Sequence, residues 1–351
     1  MRKYLMIPCV ILLTFNIIKA QERDTIVRAI TAEDPAAETA YNEGTALLQQ
    51  KQYREAVTKF NEAIELKPDF AKAYMNRAAS FVELKNYSAA AADYGKATEI
   101  DPSPSAHFAK ARVLYEMKKL DEAKDNYAAA ISLDPEYSQA YYYLGGILFE
   151  QGLYEEAIVN YNMAIDNKKD YAYAYNDRAG CYRSLGKLDK AMADYDKAIN
   201  YAADNASFYG NRGSLKRQTG KFEDAIKDCN KALEIEANNY ITLNNRGLSK
   251  FDAGKYQEAI EDFSSAIKLK FDYDYAYNNR GNAKYKLKDY AGAVADYSQA
   301  ISINPKYGYA YLNRGISKEM LRDEDGACAD WQKAFEMGAA SAEAYLNGQC
   351  K

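Results

Sequence analysis

The chain has 351 residues, 48% hydrophobic and 27% charged, which excludes wholesale disorder and is too long for one ordinary compact core. Its formal charge is −4 and it holds no basic block, which argues against nucleic acid as a partner, since phosphate contacts supply most of that affinity. The 33 tyrosines stand against one histidine and one tryptophan, an imbalance that suggests one position copied many times.

Met1 to Ala20 reads as a signal peptide. Arg2 and Lys3 form its positive end, Tyr4 to Ile18 are largely apolar, and Ala20 is a small residue before Gln21. The apolar stretch falls short of the roughly 20 residues a spanning helix needs, and Pro8 and Asn16 interrupt it. Removal is therefore expected over a retained anchor. It takes away three basic residues and leaves 43 basic against 50 acidic, an acidic mature chain with no integral membrane segment. The expected location is the bacterial envelope, periplasmic or secreted. Gln21 to Ala36 reads as a flexible leader.

From Ala37 the chain repeats itself every 34 residues. The repeats start at Ala37, Ala71, Pro104, Ser138, Ala172, Ala206, Tyr240, Asp274 and Gly308, the second being one residue short. Position 8 is Gly or Ala throughout: Gly44, Ala78, Ala111, Gly145, Ala179, Gly213, Gly247, Gly281 and Gly315. Position 20 is Ala from Ala56 to Ala327, and position 27 is Ala from Ala63 to Ala334. Position 24 is a bulky ring in eight repeats, among them Phe60, Tyr161, Phe263 and Trp331; Cys229 is the exception. Position 4 is usually Tyr. Positions 4, 8 and 11 share one stripe of a first helix, and 20, 24, 27 and 28 one stripe of a second. Small residues at 8, 20 and 27 let the helices approach, and the ring at 24 fills the space beside them. Gly152, Gly186, Gly220 and Gly254 mark hairpin bends, and Pro68, Pro102, Pro135 and Pro305 precede the next repeat.

This pattern resembles the tetratricopeptide repeat over Ala37 to about Met337. The resemblance implies an all-α fold, an α-solenoid of about nine hairpins wound into a right-handed superhelix whose first helices line the concave side. Lys169, Ala203, Ala237 and Phe271 depart from it where the family has Pro, and His107 replaces the ring of the third repeat.

Position 7, often apolar in that family, is Arg in six repeats, and position 23 is Asp in the same six. The pairs are Arg77 with Asp93, Arg178 with Asp194, Arg212 with Asp228, Arg246 with Asp262, Arg280 with Asp296 and Arg314 with Asp330. In the first repeat the signs are swapped, Glu43 with Lys59. Matched presence and sign reversal predict a structural ion pair between the two helices of each hairpin, in preference to a row of anion-binding arginines.

Position 6 lies about 200° around the helix from core position 4. It is Asn in six repeats, including Asn211, Asn245, Asn279 and Asn313 in succession. Their amides are suited to the backbone of an extended peptide, and the row resembles the asparagine ladder of the O-linked N-acetylglucosamine transferases. On the same face positions 2, 9 and 13 add Ile241, Leu248, Tyr275, Asn282, Tyr309, Ile316 and Met320, with Asp252 and Lys286 the few charges. The other reading of these asparagines is helix stacking. A carboxylate clamp is present only as the fragment Asn278, Asn282 and Asn313, without its lysines.

After Gly338 a short segment, Ala340 to Gln349, is expected to cap the array within residues 338–351. Cys328 and Cys350 are each eleven residues from Ala339, so a hairpin turning there brings them level and predicts a disulfide. Cys181 and Cys229 are expected to stay reduced, and Cys9 leaves with the signal peptide. With one histidine, no Cys-x-x-Cys, no phosphate loop and no nucleophile elbow, the chain is expected to hold no metal and no cofactor and to be no enzyme. The expected function is a protein-binding scaffold that holds extended segments of partner proteins. The alternatives are an envelope assembly component using convex or end surfaces, and a regulatory subunit of a separate enzyme.

Overall fold

We describe residues 35–350 of a computed structural model. The predicted signal peptide, and the leader as far as residue 34, lie outside the described residues. Nineteen helices and no strand occur among them. Nine hairpins follow one another: α1 (Pro35–Gln49) with α2 (Tyr53–Leu66), α3 (Ala71–Glu83) with α4 (Tyr87–Ile100), α5 (Pro104–Glu116) with α6 (Leu120–Leu133), α7 (Ser138–Glu150) with α8 (Tyr154–Asn167), α9 (Ala172–Ser184) with α10 (Leu188–Tyr201), α11 (Ala206–Gln218) with α12 (Phe222–Ile235), α13 (Tyr240–Asp252) with α14 (Tyr256–Leu269), α15 (Asp274–Lys286) with α16 (Tyr290–Ile303), and α17 (Gly308–Met320) with α18 (Glu324–Glu336). A short α19 (Ala342–Gln349) ends the series. The fold is an all-α solenoid. The last two leader residues are helical, because Pro35 is pre-set for the first turn of α1. No helix among the described residues is long and apolar enough to cross a membrane.

The chain divides into two compact units, one running to Ala191 and the other from Met192. Within each, the same local chemistry builds every hairpin. The first helix ends when one residue enters the left-handed region, and two backbone bonds then close the turn. At Gly152, with φ of 76°, the Gly152 N–H donates to Phe149 and the Leu153 N–H reaches back to Leu148. Five repeats put a non-glycine residue at this point: Lys51, Lys85, Lys118, Lys288 and Arg322, with φ between 57° and 66°. The small residue at position 8 then faces the ring at position 24. A Cβ on Gly247 or Gly281 would stand 2.7 Å from Phe263 or Tyr297, so the ring packs directly on helix backbone. Alanines at positions 20 and 27 are fully buried beside it, among them Ala259, Ala266, Ala293 and Ala300.

Candidate functional site

Charge organises one side of most hairpins. Arg77, Arg212, Arg246, Arg280 and Arg314 each grip the aspartate sixteen residues on, Nε to one oxygen and Nη2 to the other, at 2.6–2.9 Å. Nη1 turns back to the preceding hairpin, donating to Asn61, Asp196, Asn230, Ser264 and Ser298 in turn. Arg178 makes the corresponding bond to Asn162 at 2.6 Å, and its partner in sequence, Asp194, belongs to the other unit. Glu43 and Lys59 meet at 3.0 Å. Two contributions were not visible in the sequence reading. Lys216, Lys250, Lys284 and Lys318 at position 11 add a second cation to the same four aspartates at 2.8–2.9 Å. Where position 4 is tyrosine its ring lies under the guanidinium, as Tyr74 lies under Arg77 and Tyr277 under Arg280. With their acids engaged, these arginines are braces between helices and offer no open anion site.

The asparagines at position 6 correct the expectation of an open row of amides. Asn211, Asn245 and Asn279 are 5%, 4% and 2% exposed. Within a unit, a first helix such as α13 or α15 has two covered flanks, its hairpin mate and the neighbouring first helix, so pointing away from one core leads into the other. The side chain at position 6 meets position 5 of the preceding repeat, 35 residues earlier. Asn76 Nδ2 donates to the Tyr41 hydroxyl, Asn279 Nδ2 to Asn244 Oδ1, and Asn313 Nδ2 to Asn278 Oδ1, at 3.0–3.1 Å. In the fifth repeat Asp177 accepts from the Tyr142 hydroxyl at 2.8 Å. Gly210 has no side chain to offer Asn245, whose Nδ2 is buried without a partner among the described residues. This is a polar seam that holds first helices in register. A parallel seam joins position 12 to the next position 13, with Arg217 donating to Asp252 at 2.6 Å and the Tyr115 hydroxyl to Glu150. Leu248 is also corrected: it is 1% exposed and packs in a core cluster with Phe251, Phe263 and Ala283.

The remaining predicted residues separate into two groups. Tyr275, Tyr309 and Ile241 all stand at position 2, near the start of their helices. Tyr309 is exposed, while Tyr275 packs between Tyr273 and Tyr307. Asn282 and Asn313 line a cleft one to two turns further along. It spans α13, α15 and α17, has a small volume of about 70 Å³, and is completed by Phe251, Tyr285, Lys286, Ile316 and the floor ring Tyr297. The Tyr297 hydroxyl donates to Asn282 Oδ1 at 2.8 Å. Asn282 Nδ2 is buried and meets no acceptor among the described residues. Burial pushes the Tyr285 phenol up, with smaller pushes from Tyr290 and Tyr345. The cleft therefore sets a covered, unpartnered amide donor beside an exposed lysine and an aromatic wall. Phe251 and Tyr285 were missed because position 12 follows position 9 by one turn and was not counted on that face.

At the end of the array Cys328 and Cys350 are joined by a disulfide. Cys181 and Cys229 are buried free thiols, and burial pushes the Cys229 thiol up to about 12.

Family models described as tetratricopeptide repeat match residues 41–106, 108–172, 206–239 and 275–307, and one described as TPR repeat matches 181–216 and 247–288. Together they span well over half of the chain. The Hsp70-Hsp90 organizing protein of Triticum aestivum is 32% identical over 100 residues, 28% of this chain and 17% of that protein. The Protein STIP1 homolog of Dictyostelium discoideum is 34% identical over 99 residues, 28% of this chain and 18% of that one. The matched stretch is thus under a fifth of the length of either relative. Among solved structures, a tetratricopeptide repeat protein from Parabacteroides merdae superposes with a TM-score of 0.57 at 22% identity, covering 70% of this chain and 97% of that one. The Cut9–Hcn1 assembly of the APC/C superposes with a TM-score of 0.59 at 15% identity, covering 90% and 76%. These likenesses establish the fold.

Proposed function

The chain belongs to the tetratricopeptide-repeat family, and from that premise we propose that it is a non-catalytic scaffold that takes an extended segment of a partner protein into the cleft of its last three hairpins. The observation that carries this reading is Asn282, whose amide lines the cleft with a buried and unpartnered Nδ2. A buried donor without an acceptor costs on the order of 1–3 kcal/mol, which a bound carbonyl oxygen would recover. Asn313 borders the same space, and Phe251, Tyr285 and Ile316 offer apolar contact to a side chain. Asn245 and Asn279 serve the ladder as seam residues in this reading, with only Asn313 at the cleft. The similarity to Hsp70-Hsp90 organizing proteins supports protein binding in general. It does not bring their partners here, because a lone Lys286 stands where a clamp for a terminal carboxylate needs several cations. Export to the periplasm or beyond rests on the features of Met1 to Ala20.

One observation favours the assembly reading. Phe271 is 81% exposed, and Leu269, Ile235 and Tyr201 are exposed at the corresponding ends of their second helices. None of these residues lines the cleft, so the two readings separate by mutation.

The test is selection of peptides from a displayed random library on the full chain, beside Asn282→Ala and Lys286→Glu variants of matched helicity. The reading expects peptides that bind the native chain and lose roughly tenfold or more on Asn282→Ala. Peptides that bind all three proteins alike would remove the cleft as the site. Loss on Phe271→Ser instead would favour the assembly reading.

A further inference from the structure

The last helix adjoins this cleft and is held by a single covalent bridge. Of the eight residues of α19, Ala342 alone is buried, with Tyr345 and Leu346 partly so. Its N-cap residue Ser341 makes no side-chain capping bond. A helix of this length does not hold itself in water. It is kept in place by a patch of apolar contact with α17 and α18, and by the Cys328–Cys350 disulfide, which closes a separation of 22 residues. The patch is continuous with the cleft wall. Tyr345 stacks on Trp331 at 5.0 Å, and Ile316, which lines the cleft, packs on the same cluster of Leu312, Trp331 and Ala334.

We propose that thiol–disulfide exchange at Cys328–Cys350 docks and releases α19, and that the docked helix sets the shape of the cleft. The ligand-binding consequence rests on the reading of the cleft given above, whereas the docking equilibrium does not. The chemistry is a two-electron exchange with a dithiol. One thiolate of the dithiol attacks a sulfur of the bridge, the S–S bond breaks, and the departing cysteine takes a proton. The second thiol then displaces the mixed disulfide, which leaves Cys328 and Cys350 as thiols and the reductant as a cyclic disulfide. Both cysteines are partly exposed, so the bridge is reachable, and the buried thiols Cys181 and Cys229 have no bond for a reductant to break. Release of α19 uncovers Trp331 and removes the packing behind Ile316.

Trp331, the single tryptophan of the chain, reports the event. The full chain is compared with and without dithiothreitol by acrylamide quenching of tryptophan fluorescence and by hydrogen exchange over residues 312–320 and 342–349. Reduction is expected to move the docking equilibrium roughly a hundredfold toward release, the size supplied by a cross-link closing such a loop. Quenching then rises, and exchange quickens in both stretches. A Cys328→Ser, Cys350→Ser double variant is expected to behave as the reduced chain whether or not dithiothreitol is present. A Trp331 that stays shielded, with 342–349 still protected, overturns the switch. Release of α19 with unchanged exchange at 312–320 overturns the coupling and leaves the bridge an end staple. The third readout uses a fluorescein-labelled peptide selected on the oxidised chain, expected to bind roughly fivefold or more weakly after reduction. Unchanged peptide affinity alongside both structural responses overturns the functional half. Failure to select any peptide counts against the ligand reading and leaves the docking switch to be decided by the first two readouts.

Discussion

At the sixth position of the fifth repeat the chain carries Asp177, where six other repeats carry asparagine. Burial drives its pKa up to about 6 from an ordinary value near 3.8, while hydrogen bonds from Tyr142 and Asn176 pull the other way. Because the folded value is raised, the native chain holds a proton between those two values that the unfolded chain has released. Stability contributed here is full at low pH, falls as pH rises through this window, and is level above it. Asp177→Asn is expected to abolish that step and to raise stability at pH 8 by on the order of 1 kcal/mol, read from urea melts at several pH values. A step of unchanged size would place it on another group. The charge braces give a second contrast. Asp262 holds Arg246 and Lys250 in a largely covered site, so Asp262→Ala strands two cations and is expected to cost about 2–4 kcal/mol. Glu43→Ala breaks an exposed pair and is expected to leave the melt unmoved. The arginine and aspartate partners were legible in the sequence because they recur at one spacing and reverse sign together. The lysine at position 11 was not, since a lysine one turn from an arginine reads equally well as a solvated face. The orientation of position 6 was misjudged for a related reason: a single-helix argument assigns one buried side, and a stacked hairpin has two.

The hairpin has two features with a measurable cost. Lys288 ends α15 with φ of 66°, a conformation that glycine adopts freely and that Gly254 supplies in the preceding repeat. Lys288→Gly is expected to stabilise by about 0.5–1 kcal/mol, net of the entropy glycine loses on folding. A thermal melt checks it, and a loss of stability would mean that the lysine stem contributes more than its backbone costs. The close approach at position 8 predicts the opposite sign. A Cβ on Gly315 would stand 2.5 Å from Trp331 Nε1 and 3.1 Å from the Ala327 carbonyl oxygen. Gly315→Ala should therefore cost about 1–3 kcal/mol by overpacking. The second repeat already combines Ala78 with Tyr94, and the third Ala111 with Tyr127. Adding Trp331→Tyr to Gly315→Ala should accordingly recover part of the loss, and strictly additive losses in the double-mutant cycle would show that the ring is not the obstacle. Element type and hairpin order were readable because small residues and rings recur at positions 8, 20, 24 and 27.

Across the molecule, the period that made the fold legible showed only part of the site. Spacing set Asn282, Lys286 and Ile316 on one face, whereas Phe251 on α13 and Tyr285 on α15, both at position 12, complete the cleft from beyond it. Their meeting depends on how consecutive first helices lie side by side, which a single-helix rule does not describe. The same logic predicts how the array tolerates loss. Each hairpin packs mainly on its neighbours, so stability is close to a sum of hairpin and interface contributions. Deleting residues 240–273 removes one full period and joins Asn239 to Asp274. Arg280 then finds Asn230 at the place of Ser264, so its brace to the preceding hairpin is kept. Asn279, by contrast, meets Gly210 in place of Asn244 and loses the partner of its Nδ2. The deletion is expected to fold with helicity in proportion to its length, to unfold at lower urea, and to show a denaturant slope lower by roughly a tenth. Deleting only 240–256 sets first helices where second helices belong and brings the braces out of phase, and it should lose the cooperative transition. A half-repeat deletion that melts as sharply as the full-period one would mean that packing tolerates either phase, and that the braces and the seam do not set the register of the array.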